Sequence, residues 1–169
     1  MKKVAIISLI CIILDQIVKL IIIDRIALNA GIKIIEDFFY LTYVRNYGAA
    51  WSILTGSRLF LIIIAIVSIF LIYFVLIKDT KLSKFNIICF GLLYGGIIGN
   101  LIDRVVRGYV VDYFEFIIIN YNFPVFNIAD SFIVVSIFLI IIRMLKEEKN
   151  GLSSIWIRTR TKNWPISNE

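Results

Sequence analysis

The chain has 169 residues, of which 60% are hydrophobic, and its mean hydropathy is +0.93. Soluble domains are about 45–50% apolar, so this composition excludes an ordinary water-soluble globule and indicates a protein that is partly surrounded by lipid. The net charge of +6 could suggest nucleic-acid binding, but the basic residues lie mostly between apolar stretches, which is typical of a membrane topology signal. Histidine is absent, which excludes nucleophile pairs, metal sites and proton relays that require it.

The first predicted element is a transmembrane helix at residues 4–23, since about 20 apolar residues cross roughly 30 Å of hydrocarbon. The basic start resembles a secretory signal peptide, but no small-x-small cleavage site follows, and Asp15 and Lys19 interrupt the apolar run. These two residues are four apart and therefore share a helix face. Two alternatives stay open: the pair neutralises itself near the outer end of the span, or its face points at a functional site.

Residues 24–56 differ from this helix, because they mix charged residues with β-branched and aromatic ones. The stretches 32–35 and 38–45 have the composition of short strands, with turn residues at their ends. Gly48 and Ala49 are small enough to let another segment approach the backbone closely. We therefore predict a small sheet that lies on the membrane surface.

Three further apolar stretches, at residues 57–77, 85–102 and 130–145, complete a prediction of four transmembrane helices. The stretch at residues 85–102 contains four glycines whose spacing allows close helix contact in lipid. Residues 103–129 form a second surface segment. Residues 1–149 then make one membrane domain, and residues 150–169 make a polar tail to which we assign no function.

The two cysteines and the basic residues complete this outline. Cys11 and Cys89 lie inside apolar stretches without CxxC spacing, so we predict small packing residues rather than a disulfide or a zinc site. Eleven basic residues fall on one side of the four spans and six on the other. The richer side is expected to be cytoplasmic, which puts both termini inside and both surface segments outside.

Charged and amide residues concentrate between Asn100 and Ser131. A charged side chain at the end of an apolar span costs free energy unless it is paired, is solvated or has a functional role. Asn100, Asp103 and Arg104 are spaced i, i+3, i+4 and share a helix face. We expect Asp103 to be an ion-pair partner that fixes the helix end, with a catalytic role as the alternative. Asn100 and Arg104 offer donors that could hold a peptide carbonyl.

Asp112 and Asp130 are the candidates for acid–base chemistry. Asp112 ends an apolar run beside two aromatic residues, which would partly desolvate its carboxyl group. Asp130 begins the fourth span, and the alternative for it is a helix N-cap, a role that Ser131 could share. If the two carboxyl groups lie within reach of each other, one pKa rises and the other falls. Such a pair could activate water and protonate the leaving group of an amide without a metal or cofactor.

These residues fall in motifs that resemble the lipoprotein signal peptidases (signal peptidase II), a family of bacterial inner-membrane aspartic peptidases. Five pieces match in family order over most of the chain: Asp15-Gln16-x-x-Lys19, Asn46-x-Gly48-Ala49-Ala50-x-Ser52, Gly99-Asn100-x-x-Asp103-Arg104, Gly108-x-Val110-Val111-Asp112 and Phe126-Asn127-x-Ala129-Asp130-Ser131. Trp51 and Tyr113 stand where phenylalanine is usual, which affects the expected shape of the groove but not the two aspartates.

The resemblance implies four transmembrane helices with an extracytoplasmic β-cradle, and cleavage of a prolipoprotein just before its diacylglyceryl-modified cysteine. Asp112 and Asp130 match the catalytic aspartates. Eight positions match residues that support or line the site: Asn100, Arg104, Asn46, Asn127, Asp15, Lys19, Asp103 and Gly48. The expected partners are the lipid-modified precursor, membrane lipid and the cyclic peptide inhibitor globomycin; no metal, cofactor or nucleic acid is implied, and we expect a monomer.

Two alternatives from other functional classes stay open at this point. A small non-enzymatic carrier could bind cations with interfacial carboxylates, but it would need polar residues deep in several spans, and residues 57–77 contain few. A scaffold subunit would explain the apolar spans but not the clustered aspartates.

Overall fold

The computed structural model describes residues 1–49, 53–78, 82–119 and 121–149. In chain order these ranges contain α1 (Lys2–Arg25), β1 (Gly31–Ile35), β2 (Phe39–Asn46), α2 (Arg58–Leu71), a π-helical segment (Ile72–Ile77), α3 (Lys84–Val106), β3 (Val110–Ile118), β4 (Tyr121–Asn122) and α4 (Ile128–Lys149). Among the described residues, α1, α3 and α4 are long and apolar enough to cross a membrane. This confirms the prediction of a mainly helical membrane protein with a small sheet.

Some predictions concern residues outside these ranges. They include the motif positions Ala50 and Ser52, the departure at Trp51 and the tail at residues 150–169.

Two helix ends differ from the prediction. α3 continues past residue 102 to Val106, so Asp103 and Arg104 lie in its last turns rather than in a surface segment. It ends before Gly108, whose φ is +86° and whose N–H donates to the Asp103 carbonyl at 3.1 Å, as is usual for a glycine after a helix. α4 begins at Ile128, two residues before the predicted start.

α3 is the central helix of the bundle, and α1, α2 and α4 each pack against it. Its glycines make these contacts close, as predicted from their spacing. A Cβ atom at Gly91 would lie 2.5 Å from Ile7, and one at Gly99 would lie 2.6 Å from the carboxylate of Asp15. Larger residues would therefore push α1 away from α3. Cys11 and Cys89 are buried free thiols, in agreement with the packing role.

The strands form one antiparallel sheet in the order β1-β2-β3-β4, and β1 and β2 confirm the two strands predicted from composition. In the pairing of β2 with β3, Val44 lies opposite Asp112 and Asn46 lies opposite Val110. The sheet packs against the end of α1 through a buried cluster of Ile22, Ile26, Tyr43, Val111 and Tyr113. The sheet therefore holds Asp112 at the same end of the bundle as the last turns of α3.

Candidate active site

Asp112 is a buried residue of β3 whose carboxylate accepts hydrogen bonds from two neutral amides. The Asn127 Nδ2 atom donates to its Oδ1 at 2.7 Å, and the Asn46 Nδ2 atom donates to its Oδ2 at 2.8 Å. The orientation of Asn46 is fixed, because its own Oδ1 accepts the N–H of Gly48 at 2.9 Å. The amide of Asn46 can therefore present only its donor side to Asp112.

Asp130 is the third residue of α4, and the sequence-based interpretation of it as the N-cap is wrong. Asn127 is the N-cap: its Oδ1 accepts the N–H of Asp130 at 3.0 Å, while Asp130 Oδ2 accepts the N–H of Asn127 at 3.1 Å. This reciprocal pair is a capping box. Ser131 does not share the capping role, since its hydroxyl donates to the Asn127 carbonyl at 3.1 Å.

Asn100 connects Asp130 to the interior of the bundle. Its Nδ2 donates to Asp130 Oδ1 at 2.7 Å, and its Oδ1 accepts from Lys19 Nζ at 2.9 Å and from Asn127 Nδ2 at 3.2 Å. A lysine ammonium has only donors, so Lys19 fixes which way the amide of Asn100 points. Asn127 contacts both carboxyl groups, one with its side chain and the other with its main-chain N–H. We call Asp112 and Asp130 the aspartate pair.

The surroundings of Asp112 raise its pKa from 3.8 to about 7. Burial is the largest cause, because it penalises the charged form, and the negative charge of Asp130 adds to it. Hydrogen bonds from Asn46 and Asn127 act in the opposite direction but do not cancel these effects. The aspartate pair can therefore hold a proton near neutral pH, which is the property that an acid–base pair requires.

A cavity of about 720 Å³ opens beside the aspartate pair, between α2 on one side and α4 on the other. Its polar end is formed by Asn46, Asn100, Arg104, Asp112 and Asp130. Its walls are apolar and come from α2, α3, α4 and the segment before α4: Leu61, Ile64, Ala65, Ile97, Phe123, Pro124, Val125, Phe126, Ile133, Val134 and Val135. This lining suits an apolar ligand that presents a polar bond to the carboxyl groups.

A second group of buried charges lies beneath this site, and we call Asp15, Lys19, Asp103 and Arg107 the ion-pair cluster. Lys19 Nζ lies 2.9 Å from Asp15 Oδ2 and 2.9 Å from Asp103 Oδ2, and Arg107 pairs with the other oxygen of Asp103. Lys19 thus satisfies both alternatives raised by the sequence: it neutralises Asp15 and also reaches the site through Asn100. The prediction that Asp103 is an ion-pair partner is confirmed.

The sequence profile of the signal peptidase (SPase) II family matches residues 7–146. A lipoprotein signal peptidase from Halothermothrix orenii is 45% identical over 148 residues, which cover 86% of this chain and 97% of that protein. This chain belongs to the signal peptidase II family. A relative of the same name from Staphylococcus aureus is 40% identical over 144 residues, covering 85% of this chain and 88% of that protein.

Two solved structures of bacterial membrane enzymes, determined by the in meso method, have the same fold as this signal peptidase II family member. Both are 38% identical to it, with TM-scores of 0.81 and 0.77. The matches cover 89% and 87% of this chain and 92% and 95% of the solved ones. Together with the apolar helices, they indicate an inner-membrane protein and favour a membrane aspartic peptidase over a carrier or a scaffold subunit.

Arg104 and Gly48 also come together at the site. Arg104 Nη2 donates to the Gly48 carbonyl at 3.0 Å, and its Nη1 donates to the Asn100 carbonyl at 3.4 Å. Arg104 therefore ties the loop after β2 to α3, while its guanidinium lines the cavity. Eight of the ten residues that the sequence singled out thus lie in the aspartate pair, the ion-pair cluster or their direct contacts, and the other two, Arg104 and Gly48, contact the asparagines around the pair.

Besides Arg107 of the ion-pair cluster, three residues of this region were not predicted as site residues. Gln16 accepts from Arg107 at 2.8 Å and donates to Asp103 at 3.1 Å, which extends the ion-pair cluster. The hydroxyl of Tyr113 accepts the N–H of Ile128 at 3.1 Å, which ties β3 to the start of α4. Gln16 and Tyr113 lie next to Asp15 and Asp112, and this adjacency was the available signal. No spacing in the sequence indicated the third residue, Arg58, which donates to main-chain carbonyls at the end of α3.

Proposed function

We propose that this chain is an aspartic endopeptidase that removes signal peptides from diacylglyceryl-modified prolipoproteins by cutting just before the lipid-modified cysteine. The observation that carries the proposal is the aspartate pair: both carboxyl groups contact Asn127 and both line one cavity in a membrane-embedded bundle. Membership of the signal peptidase II family, whose relatives are named lipoprotein signal peptidases, supports the choice of substrate.

In the proposed reaction, the aspartate pair begins with one proton and one negative charge. The ionised carboxylate takes a proton from water, and the resulting hydroxide adds to the carbonyl carbon of the scissile amide. The neutral carboxyl group gives its proton to the carbonyl oxygen as the tetrahedral intermediate forms. The C–N bond then breaks: the carboxyl group that received the water proton delivers it to the leaving nitrogen, and one hydroxyl group of the intermediate returns its proton to the other carboxylate. The products are a carboxylic acid and a free amine, and the aspartate pair again holds one proton.

The apolar walls of the cavity supply the proposed binding site for the signal peptide. Leu61, Ile64 and Ala65 of α2 face Val134 and Val135 of α4 across the cavity. An apolar peptide segment gains free energy by filling this space. Asn100, Arg104, Asn46 and the other predicted site residues would then keep the carboxyl groups oriented while the peptide binds.

We also propose a membrane arrangement of four spans with both termini in the cytoplasm and the aspartate pair at the extracytoplasmic face. α2 and the π-helical segment together contain 20 consecutive helical residues, from Arg58 to Ile77. At 1.5 Å per residue an α-helix of this length crosses about 30 Å. The basic residues support the orientation. The enzyme is proposed to act as a monomer.

A processing assay on a lipid-modified precursor tests the proposal. The wild-type protein is expected to release the signal peptide, and globomycin is expected to block the release. Asp112→Asn and Asp130→Asn are each expected to abolish cleavage while inserting normally into the membrane. Glu115→Gln is the matched control, because Glu115 lies three residues from Asp112 on β3 and outside the cavity lining.

Near-normal cleavage by a well-inserted Asp130→Asn variant would return Asp130 to a purely structural role in the capping box. Cleavage that Glu115→Gln reduces as strongly as Asp112→Asn would show that the assay reports folding rather than chemistry.

A further inference from the structure

A second groove lies at the other end of the bundle from the aspartate pair. It runs between α1 and the end of α2, with α3 as its floor, and has a volume of about 520 Å³. Its lining residues come from all three helices: Met1, Val4, Ala5, Ser8, Leu9 and Ile12, then Ile69, Phe70 and Tyr73, then Tyr94 and Ile98. Nothing in the peptidase chemistry uses this groove.

The groove has the chemical character of a hydrocarbon site. Of its three hydroxyl-bearing side chains, Ser8, Tyr73 and Tyr94, two donate inside the bundle: Ser8 to the Gly91 carbonyl at 3.0 Å and Tyr94 to the Ile69 carbonyl at 3.0 Å. Both hydroxyl protons are therefore used inside the bundle and are not available to a polar ligand. An apolar ligand loses no hydrogen bonds by entering such a space, whereas water would have few partners there.

The length of the groove matches one leaflet of a bilayer. Its lining on α1 runs from Met1 to Ile12, which is about 17 Å at 1.5 Å per residue. The hydrocarbon core of a bilayer is about 30 Å thick, so each leaflet accounts for roughly half of that. A single acyl chain from the adjacent leaflet therefore has the right length to lie along it.

Two lysines lie on the helices that border the groove, Lys2 on α1 and Lys78 after the π-helical segment, where its Nζ lies 5.6 Å from the centroid of the Phe74 ring. Lys2 is exposed and lies three and seven residues before Ala5 and Leu9, so it shares their helix face. The N–H of Lys78 donates to the Tyr73 carbonyl at 2.9 Å, which closes a π-helical turn and puts Lys78 one turn beyond Tyr73. Lys78 is also exposed. Basic sites between transmembrane helices on the cytoplasmic side attract anionic lipid headgroups.

We propose that this groove binds one anionic phospholipid, with an acyl chain between α1 and α2 and the phosphate between Lys2 and Lys78. The lipid would fill the space that separates the two helices and so hold α2 in place against α3. The site takes a phosphodiester lipid with a net negative charge in preference to a zwitterionic one. This proposal does not depend on the peptidase activity, because the groove and the aspartate pair share no lining residue.

Native mass spectrometry of the full-length protein released from nanodiscs tests the site, with phosphatidylglycerol or phosphatidylcholine as the probe lipid. The wild-type protein is expected to retain one phosphatidylglycerol molecule. Lys2→Gln with Lys78→Gln is expected to weaken its retention by about tenfold or more, because both substitutions remove a positive charge that attracts the anionic headgroup. The matched control is Lys84→Gln with Lys146→Gln, two exposed lysines on other helices.

A second variant tests the acyl-chain part of the site separately. Ala5→Phe should fill the groove and remove bound lipid of either headgroup, whereas Ile6→Phe, at an exposed neighbouring position outside the lining, should not. Retention of lipid by Ala5→Phe at the wild-type level would overturn the proposal. Equal loss in the two lysine double variants would also overturn it, because that result shows diffuse attraction to the basic surface. If Ala5→Phe fails to insert, the lysine variants decide alone.

Discussion

The aspartate pair and the ion-pair cluster are both groups of buried carboxylates, but their neighbours are of different kinds. In the ion-pair cluster, each carboxylate contacts a cation, Lys19 or Arg107. In the aspartate pair, the direct donors are three side-chain amides and one main-chain N–H, all neutral. A cation in direct contact neutralises a buried carboxylate and fixes it, whereas neutral amides orient the carboxylate and leave its charge only partly compensated by more distant cations. The first arrangement suits a structural role, and we propose that the second retains a proton for chemistry.

The two regions meet at one side chain. Lys19 contacts both carboxylates of the ion-pair cluster and also the Oδ1 of Asn100, whose Nδ2 donates to Asp130. A structural charge thereby sets the orientation of an amide in the site. Variants that remove a charge from one region at a time should therefore separate effects on the cleavage rate from effects on the free energy of unfolding.

The largest effect is expected for Asp112→Asn. The cleavage rate should fall by about 10²–10⁴ or more, because a positioned acid–base group contributes that factor. The free energy of unfolding should fall by about 1–3 kcal/mol, since the amide occupies the same volume but places its NH2 group opposite the Nδ2 donor of Asn46 or Asn127. Precursor cleavage and thermal unfolding in one detergent measure the two quantities. A variant that is strongly destabilised yet still cleaves would contradict the division between the regions.

Lys19→Met should have the opposite effect to Asp112→Asn: a large loss of stability and a smaller direct loss of catalysis. It leaves Asp15 buried without its cation, and removal of one partner from a buried ion pair costs about 3–5 kcal/mol. We expect a large fall in unfolding temperature, with lower activity that follows the loss of folded protein and of Asn100 orientation. Lys33→Met is the matched control, because Lys33 pairs with Glu36 at 2.5 Å on an exposed surface and exposed pairs contribute about 0–1 kcal/mol. Equal destabilisation by the two variants would count against the ion-pair cluster.

The pH dependence gives a third and smaller effect. Because the pKa of Asp112 is raised to about 7, the pair should lose its proton as the pH rises through that value, and the cleavage rate should fall about tenfold per pH unit beyond it. The protonated form is favoured by the fold, so its stabilising contribution is complete below about pH 4 and is lost as the pH rises to about 7. Rate and unfolding temperature from pH 4 to 9 measure both trends. A rate that is flat up to pH 9 would exclude Asp112 as the group that holds the proton.

Asn46→Leu is expected to have the smallest effect. It removes one donor to the Asp112 carboxylate and so raises the pKa of Asp112 further, because that hydrogen bond favours the charged form. The alkaline limb of the rate profile should move to higher pH, and the maximal rate should fall roughly tenfold, as expected for one hydrogen bond to a charged group. Asn122→Leu, on the short strand β4 at an exposed position, is the control. A downward shift of the limb would contradict the assigned role of the amide.

Much of the fold could be predicted because its signals are local. Apolar length predicted the helices, and β-branched and aromatic composition predicted β1 and β2. The end of α3 was predicted too early, because charged residues at Asp103 and Arg104 resemble the start of a loop, although here both are satisfied inside the bundle and Gly108 ends the helix.

The residues of the candidate site were predicted individually, but the hydrogen bonds that connect them were not. Asp112 and Asp130 were identified by type, position and resemblance, whereas the contacts that orient them join distant segments. The Lys19–Asn100 bond spans 81 residues and depends on how α1 and α3 pack at Gly99. The N-cap interpretation of Asp130 failed for a local reason instead, because α4 begins two residues earlier than predicted and Asn127 takes that role.

An infrared titration of the Asp112 carboxyl group tests most directly whether the two aspartates act as one pair. The Asp112 band is identified by its loss in Asp112→Asn, and its midpoint is then measured in the wild-type protein and in Asp130→Asn. We expect a midpoint of about pH 7 in the wild-type protein and a lower one in Asp130→Asn, because the negative charge of Asp130 raises the pKa of Asp112. The same midpoint in both proteins would show that the two carboxyl groups do not interact, and would contradict the account.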